Sequence, residues 1–199
     1  MTSHINDLVC PEADAAPGAQ VGPGTRLWHH AQVAGDVVIG FDCTLGKSAY
    51  VGSGSRIGNR VKIGNHTDIF GARIEDNVMI SPQAVLTEDP TPRATTPSGQ
   101  RQDHDDWTSN PVTVRRGATI GAGARVAPGI VIGPYALVGI GAVVLRDVPA
   151  HALVLGNPAR CCGWVCRCAI RLTDALCCPR CHRTYERRED ELHEVLPYP

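Results

Sequence analysis

Four cysteines of this 199-residue chain stand as Cys166-x-Cys168, nine residues, then Cys178-Pro-Arg-Cys181. Two thiolate pairs at short spacing across a hairpin-length gap are the donor set of a tetrahedral four-sulfur zinc site. Four protein ligands leave no open position for catalysis, so the zinc expected is structural. It would staple a tail too short to bury its own core, in the manner of a zinc ribbon. Cys161, Cys162, Cys177 and His182 lie close enough in sequence to compete as ligands. Disulfides are the rival use of these thiols; the N-terminal residues carry no secretory pattern, which argues for a reducing cytoplasmic setting instead. Proton-accepting groups of interest are Glu88, within Thr87-Glu88-Asp89-Pro90-Thr91-Pro92-Arg93, and two imidazoles, His30 and His66, 36 residues apart. A desolvated carboxylate or a neutral imidazole can act as a general base. Arg146 and Arg160 are candidates for phosphate groups, which a guanidinium binds in bidentate fashion; solvated surface charge is the alternative.

These residues must be positioned by a repeat of six. Val21, Leu27, Val33, Ile39, Leu45, Val51, Ile57, Ile63 and Ile69 form nine unbroken beats, followed after a one-residue contraction by Ile74, Ile80 and Leu86. Val114, Ile120, Val126, Ile132, Val138 and Val144 form a second run. Neither the helical period nor simple strand alternation gives a strict six; hexapeptide repeats are the signature of a parallel β-helix. Each hexad supplies a short strand and a turn, and three hexads close a coil. Eighteen beats therefore make about six coils, enough for a continuous core. Gly after many beats suits a tight corner, and a small residue four after the beat suits an inward corner. His30 and His66 fall two coils apart, in one column separated by roughly 9.6 Å.

The composition agrees, with 5% aromatic residues and 21 glycines, as thin aliphatic ladders require. A formal charge of −1 predicts no electrostatic attraction to nucleic acid or anionic membranes, and no apolar run is long enough to span a bilayer. The expected organisation is all-β: a solenoid over residues 1–160 with a loop insertion at 87–112, then a zinc-ribbon-like tail over 161–199. The insertion is too long to be an idle connection in a compact repeat domain. Its Pro, Thr, Ser, Gln and Asp content would suit disorder, whereas Trp107 argues that part of it packs down.

The hexads resemble the left-handed β-helix acyltransferases. Within them Leu27-Trp28-His29-His30, the Thr87-Glu88-Asp89 to Pro92-Arg93 segment, Val138-Gly139-Ile140-Gly141-Ala142-Val143-Val144 and Gly156-Asn157-Pro158-Ala159-Arg160 with Gly163-Trp164-Val165 are similar to the nucleotide-linked 3-amino-sugar N-acetyltransferases. That resemblance implies a homotrimer using acetyl-CoA on a UDP- or dTDP-linked amino sugar, with acyl-CoA in the groove between neighbouring solenoids. Gly121, Ala122, Gly139, Gly141 and Ala142 are then expected against the cofactor, with Arg146 and Arg160 on its phosphates. His29, Asn65, Asp68 and Arg93 are expected on the sugar nucleotide. The branch has Asn where this chain has Glu88, so positioning of the amine and proton transfer are both open to Glu88, with His30 and His66 as alternative bases.

Three other readings share the scaffold. An O-acetyltransferase would keep fold and cofactor. A γ-class carbonic anhydrase would need two histidines five residues apart in one coil, yet Gly71 stands five after His66, leaving no metal-activated water. A non-catalytic scaffold would leave the central loop without a purpose.

Overall fold

The computed structural model describes residues 9–189 and 191–195. Two-residue strands follow one another around a three-sided prism, each paired in parallel with the strand one coil above and below. Face 1 has seven strands, from Asp14–Ala15 to Val143–Val144; face 2 has six, from Gln20–Val21 to Val131–Ile132; face 3 has eight, from Arg26–Leu27 to Arg160–Trp164. The expected all-β parallel β-helix is the fold. Its register is that of the sequence repeat: Leu27 pairs with Leu45, Leu45 with Ile63, and Val33 with Val51. The beats form the core ladder, with Leu45, Ile69, Ile80, Leu86, Ile120 and Ile132 fully buried. Ala31, Val37, Cys43, Ala49, Ser55 and Val61, each four after a beat, are buried at the inner corners.

The glycine after a beat has a more specific cause than a tight turn. At Gly64 and Gly121 an added Cβ would meet the backbone of the next coil, near Pro82 N at 2.4 Å and Gly139 C at 2.5 Å. Close stacking of coils therefore selects glycine there. The left-handed backbone falls two residues later, at His30, Asp42, Ser48, Arg60 and His66 (φ between 53° and 60°).

The contraction at Ile69–Ile74 shortens the corner to Phe70-Gly71-Ala72 without breaking the ladders, since Arg73–Ile74 still pairs with Arg56–Ile57 and Thr113–Val114. The central loop leaves face 1 after Val85–Leu86 and re-enters on face 2 at Thr113–Val114. The loop carries local order of its own. Thr95 and Arg101 form an antiparallel bridge, Asp103 caps a short 3-10 turn over His104–Asp106, and Trp107 is half-buried.

The chain leaves the solenoid by a reversal. Ala152–Leu155 pairs in parallel with Leu137–Val138 and antiparallel with Arg160–Trp164, so the start of the tail shares face 3. Beyond it, Cys166, Leu172, Cys178, Tyr185 and Leu192 make a second small core, with Trp164 packed against both cores. The hairpin Thr184–Arg188 with Glu191–Val195 completes the tail. No helix among the described residues is long and apolar enough to cross a membrane.

Candidate functional site

The corner from face 3 to face 1 carries the histidines. His30 and His66 occupy the same corner position two coils apart, with Ser48 between them, and all three have left-handed backbone. The column inferred from the 36-residue spacing is therefore present, and both side chains are exposed. Histidine tolerates left-handed backbone better than β-branched residues do, so the corner itself favours these residue types. His29 and Asn65 line one depression of about 440 Å³ together with Trp28, Lys47 and Lys62. Asn65 accepts a hydrogen bond from the Lys47 amide at 2.9 Å, and the half-exposed Trp28 ring stacks on His29 with centroids 6.5 Å apart. The spacing of exposed cations and an aromatic ring along successive hexads was a signal for Lys47 and Lys62 that motif reading passed over. Asp68 lies outside this depression, on face 1.

Glu88 sits at a different corner, between faces 1 and 2, where the central loop departs. Its carboxylate accepts a hydrogen bond from the Ser109 hydroxyl at 2.5 Å, and its carbonyl accepts one from the Asn110 amide at 2.8 Å. The loop is thus closed across its own base. The carboxylate lies directly over Gly71, where a Cβ would collide with it. Arg93 is exposed, its guanidinium turned to the Pro92 carbonyl at 2.9 Å. Within one chain, face 1 separates Glu88 from His30 and His66, and the three do not form one cluster.

The small residues expected against a cofactor lie on the histidine corner, in later coils. The amides of Gly121, Gly139 and Gly141 are already bonded, to Val138, Val154 and Ala122 carbonyls. Ala142 is fully buried, with its amide on the Gly139 carbonyl at 3.3 Å. Its side chain therefore fills the core. The Ala122 and Ile140 amides have no acceptor among the described residues, whereas the equivalent amide in the second coil, that of Lys47, is taken by Asn65. Ile140, 84% exposed, is an addition that the sequence reading did not single out. Arg146 and Arg160 are brought to one depression of about 180 Å³, at the loop corner of the last coil. There they stand apart from the glycine corner.

In the tail, the sulfur atoms of Cys166, Cys168, Cys178 and Cys181 all lie within 4.8 Å of one another. Cys166 to Cys181 is 3.4 Å, Cys168 to Cys178 is 3.6 Å, and Cys168 to Cys181 is 3.8 Å. Zinc–sulfur bonds of about 2.3 Å in a tetrahedron require sulfur separations of about 3.8 Å. The four thiols thus fit the ion; Cys161, Cys162, Cys177 and His182 do not enter the cluster. The Arg183 backbone amide brings Cys181 down to about 6, while burial pushes Cys166 up to about 12. A bound cation reverses such a penalty by stabilising the thiolate. Tyr185 donates its hydroxyl to Cys166 Sγ at 3.1 Å and accepts the Arg167 amide at 3.1 Å, holding that ligand in place. The cluster is tied to the solenoid through buried His151, which stacks on Tyr135, meets Tyr185 edge-on, and bonds the Val165 carbonyl at 2.9 Å through Nδ1.

Residues 36–69 match the bacterial transferase hexapeptide family (six repeats). Over 87 residues the chain is 40% identical to dTDP-3-amino-3,6-dideoxy-alpha-D-galactopyranose 3-N-acetyltransferase of Aneurinibacillus thermoaerophilus, covering 42% of this chain and 44% of that protein. Over 93 residues it is 28% identical to galactoside O-acetyltransferase of Escherichia coli K12, covering 47% and 44% respectively. The matches thus span less than half the length of these curated relatives. Among solved structures, the N-acyltransferase AntD of Bacillus cereus, determined with dTDP and 3-hydroxybutyryl-CoA, superposes with a TM-score of 0.52 at 17% identity, over 80% of each chain. At that identity the likeness is one of fold.

Proposed function

We propose that this hexapeptide-repeat chain is an acyl-CoA-dependent N-acetyltransferase acting on the amine of a UDP- or dTDP-linked amino sugar, and that it works as a homotrimer in the cytoplasm. The observation that carries the reading is the 40% identity to a dTDP-3-amino-sugar 3-N-acetyltransferase, joined to a solenoid with one ordered loop. The trimer is supported by how the candidate residues are divided. Glu88, Arg146 and Arg160 lie on the loop corner, while His30, His66 and the unbonded Ala122 and Ile140 amides lie on the next. Side-by-side copies would bring one corner of each against the other corner of its neighbour, completing a cleft that one chain has in halves.

In that cleft an amine attacks the thioester carbonyl, a tetrahedral oxyanion forms, and the thiolate leaves. Amides such as those of Ala122 and Ile140 are suited to the pantetheine carbonyls or the oxyanion. The corner glycines allow close approach, and Arg146 with Arg160 would take the CoA phosphates. Glu88, oriented by Ser109, would hold the ammonium form of the substrate and accept its proton, with His30 or His66 of the adjoining copy as the other candidate base. Trp28, His29 and Asn65 would form a wall for the sugar nucleotide, with Asp68 and Arg93 as further contacts. Zinc on Cys166, Cys168, Cys178 and Cys181 is assigned a structural role. The likeness to a galactoside O-acetyltransferase keeps a hydroxyl acceptor as the second reading.

The test is thiol release from acetyl-CoA with nucleotide-linked 3-amino and 4-amino sugars beside their hydroxy analogues. Turnover confined to an amino sugar is expected and identifies the attacked position. Turnover confined to the hydroxy sugars would transfer the protein to O-acetylation.

A further inference from the structure

Face 2 bears a cavity lined by none of the candidate site residues placed above. It measures about 610 Å³, the largest of the depressions described here, and is lined by Arg56, Arg73, Arg115 and Arg116 against two carboxylates, Glu75 and Asp76. Arg56 and Arg73 are directly paired neighbours on adjacent strands, so two cations project side by side from one face. Like charges directly opposite one another destabilise a sheet. Arg115 is held by Glu75 at 2.7 Å, and the other oxygen of that carboxylate accepts the Arg116 amide at 2.9 Å. Arg56 is braced by the Asp36 and Ser55 carbonyls at 2.8 and 3.0 Å. The Arg73 guanidinium has no hydrogen-bond or ion-pair partner among the described residues, and the residue is exposed. The face thus keeps an excess of positive charge, partly fixed in orientation, around a hollow.

Both ends of the central loop adjoin this cavity. Gly71, two residues before Arg73, lies under the Glu88 carboxylate, and Thr113, where the loop re-enters, is part of the lining. We propose that the face-2 cavity binds a diphosphate group through Arg56 and Arg73, with Arg115 and Arg116 at its rim. Rows of guanidinium groups match two linked phosphates through bidentate, charge-assisted hydrogen bonds. Two ligands of the proposed reaction carry a diphosphate, the nucleotide sugar and coenzyme A. The adjacency to Glu88 favours the nucleotide sugar, because its sugar would then extend from the cavity towards the loop base while Arg146 and Arg160 serve the cofactor. This inference rests on the functional reading above.

Calorimetric titration of the full chain with dTDP, UDP, CoA and inorganic pyrophosphate separates the two ideas. Arg73→Gln and Arg56→Gln should each weaken nucleoside diphosphate binding about tenfold or more, the scale of a lost charge-assisted contact. CoA affinity should be unchanged, and pyrophosphate should compete with the nucleotide. Arg26→Gln, which removes an equal charge from face 3, should leave every affinity intact. Loss of CoA binding instead would keep a diphosphate site here and make the cofactor its source. Wild-type affinities retained by both variants, or equal losses in Arg26→Gln, would overturn the site. A wild-type protein that binds neither nucleotides nor CoA would overturn the functional reading itself.

Discussion

Glu88 is the residue on which the proposed chemistry turns. Its fixed place over Gly71 and its bond from Ser109 predict that Glu88→Gln lowers kcat about a hundredfold or more, the usual range for a positioned acid–base group. Acetyl-CoA binding should stay near wild type, and single-turnover rates beside calorimetry would check this. If His30 or His66 carries the proton instead, its Ala variant will show that loss and Glu88→Gln will not; full turnover in all three would remove the catalytic proposal. His151 invites a pH experiment. Burial, partly opposed by its bond to the Val165 carbonyl, holds its imidazole below the ordinary histidine value. Tyr135, Tyr185, Arg167, Glu194 and His193 surround it or act on it. The unfolded chain therefore takes up this proton first as pH drops. Stability from His151 is present above the unfolded pKa of about 6.5 and is lost as pH falls through the lowered folded value. Urea midpoints between pH 7.5 and 5 should fall more steeply for the wild type than for His151→Phe. His30, His66 and Glu88 could be singled out from type and spacing, and His29 and Asn65 through the resemblance, whereas Ser109 and the free Ile140 amide could not. Hydrogen bonding across 21 residues, or its absence at a turn, leaves no trace in local sequence.

Ladders and clips are what the elements contribute. Ile80 is fully buried and stacks between Ile63 and Ile120, so Ile80→Ala should cost about 2–5 kcal/mol, seen as a lower denaturation midpoint with the fold retained. The tail is a clip of another kind, because its small core is built around four sulfurs. Cys178→Ser should lose stoichiometric zinc by elemental analysis and open the tail to proteolysis, while Cys162→Ser should keep the metal; unchanged metal content in Cys178→Ser would refute the assignment. The hexads and the Cys166-x-Cys168…Cys178-x-x-Cys181 spacing announce both elements directly, since each is a repeat or pairing over short chain distances. The reversal at Arg160–Trp164 that joins tail to face 3 was not legible, because a strand pairing at a solenoid's end has no periodic partner to betray it.

At the scale of the molecule the question is how many chains make a site. If the two corners meet between copies, the protein should sediment as three times its 21.2 kDa chain. Should Glu88→Gln and His30→Ala both prove impaired, co-assembling them should recover part of the lost turnover, since some clefts would then hold both native side chains; additive inactivity would place the whole reaction within single chains. The amino-acid sequence by itself determined the β-helix, the column of His30 and His66, and the four-sulfur set. All of these follow from fixed intervals along the chain: six residues per strand, eighteen per coil, and a hairpin between thiol pairs. Only the tertiary structure decided that Glu88 and the histidines occupy different corners, that Ala142 faces the core, and that Arg56, Arg73, Arg115 and Arg116 converge on one hollow. The contraction at Phe70-Gly71-Ala72 and the loop at 87–112 break the counting that would have aligned those arginines, and lateral placement around a prism depends on where each interruption leaves and rejoins it.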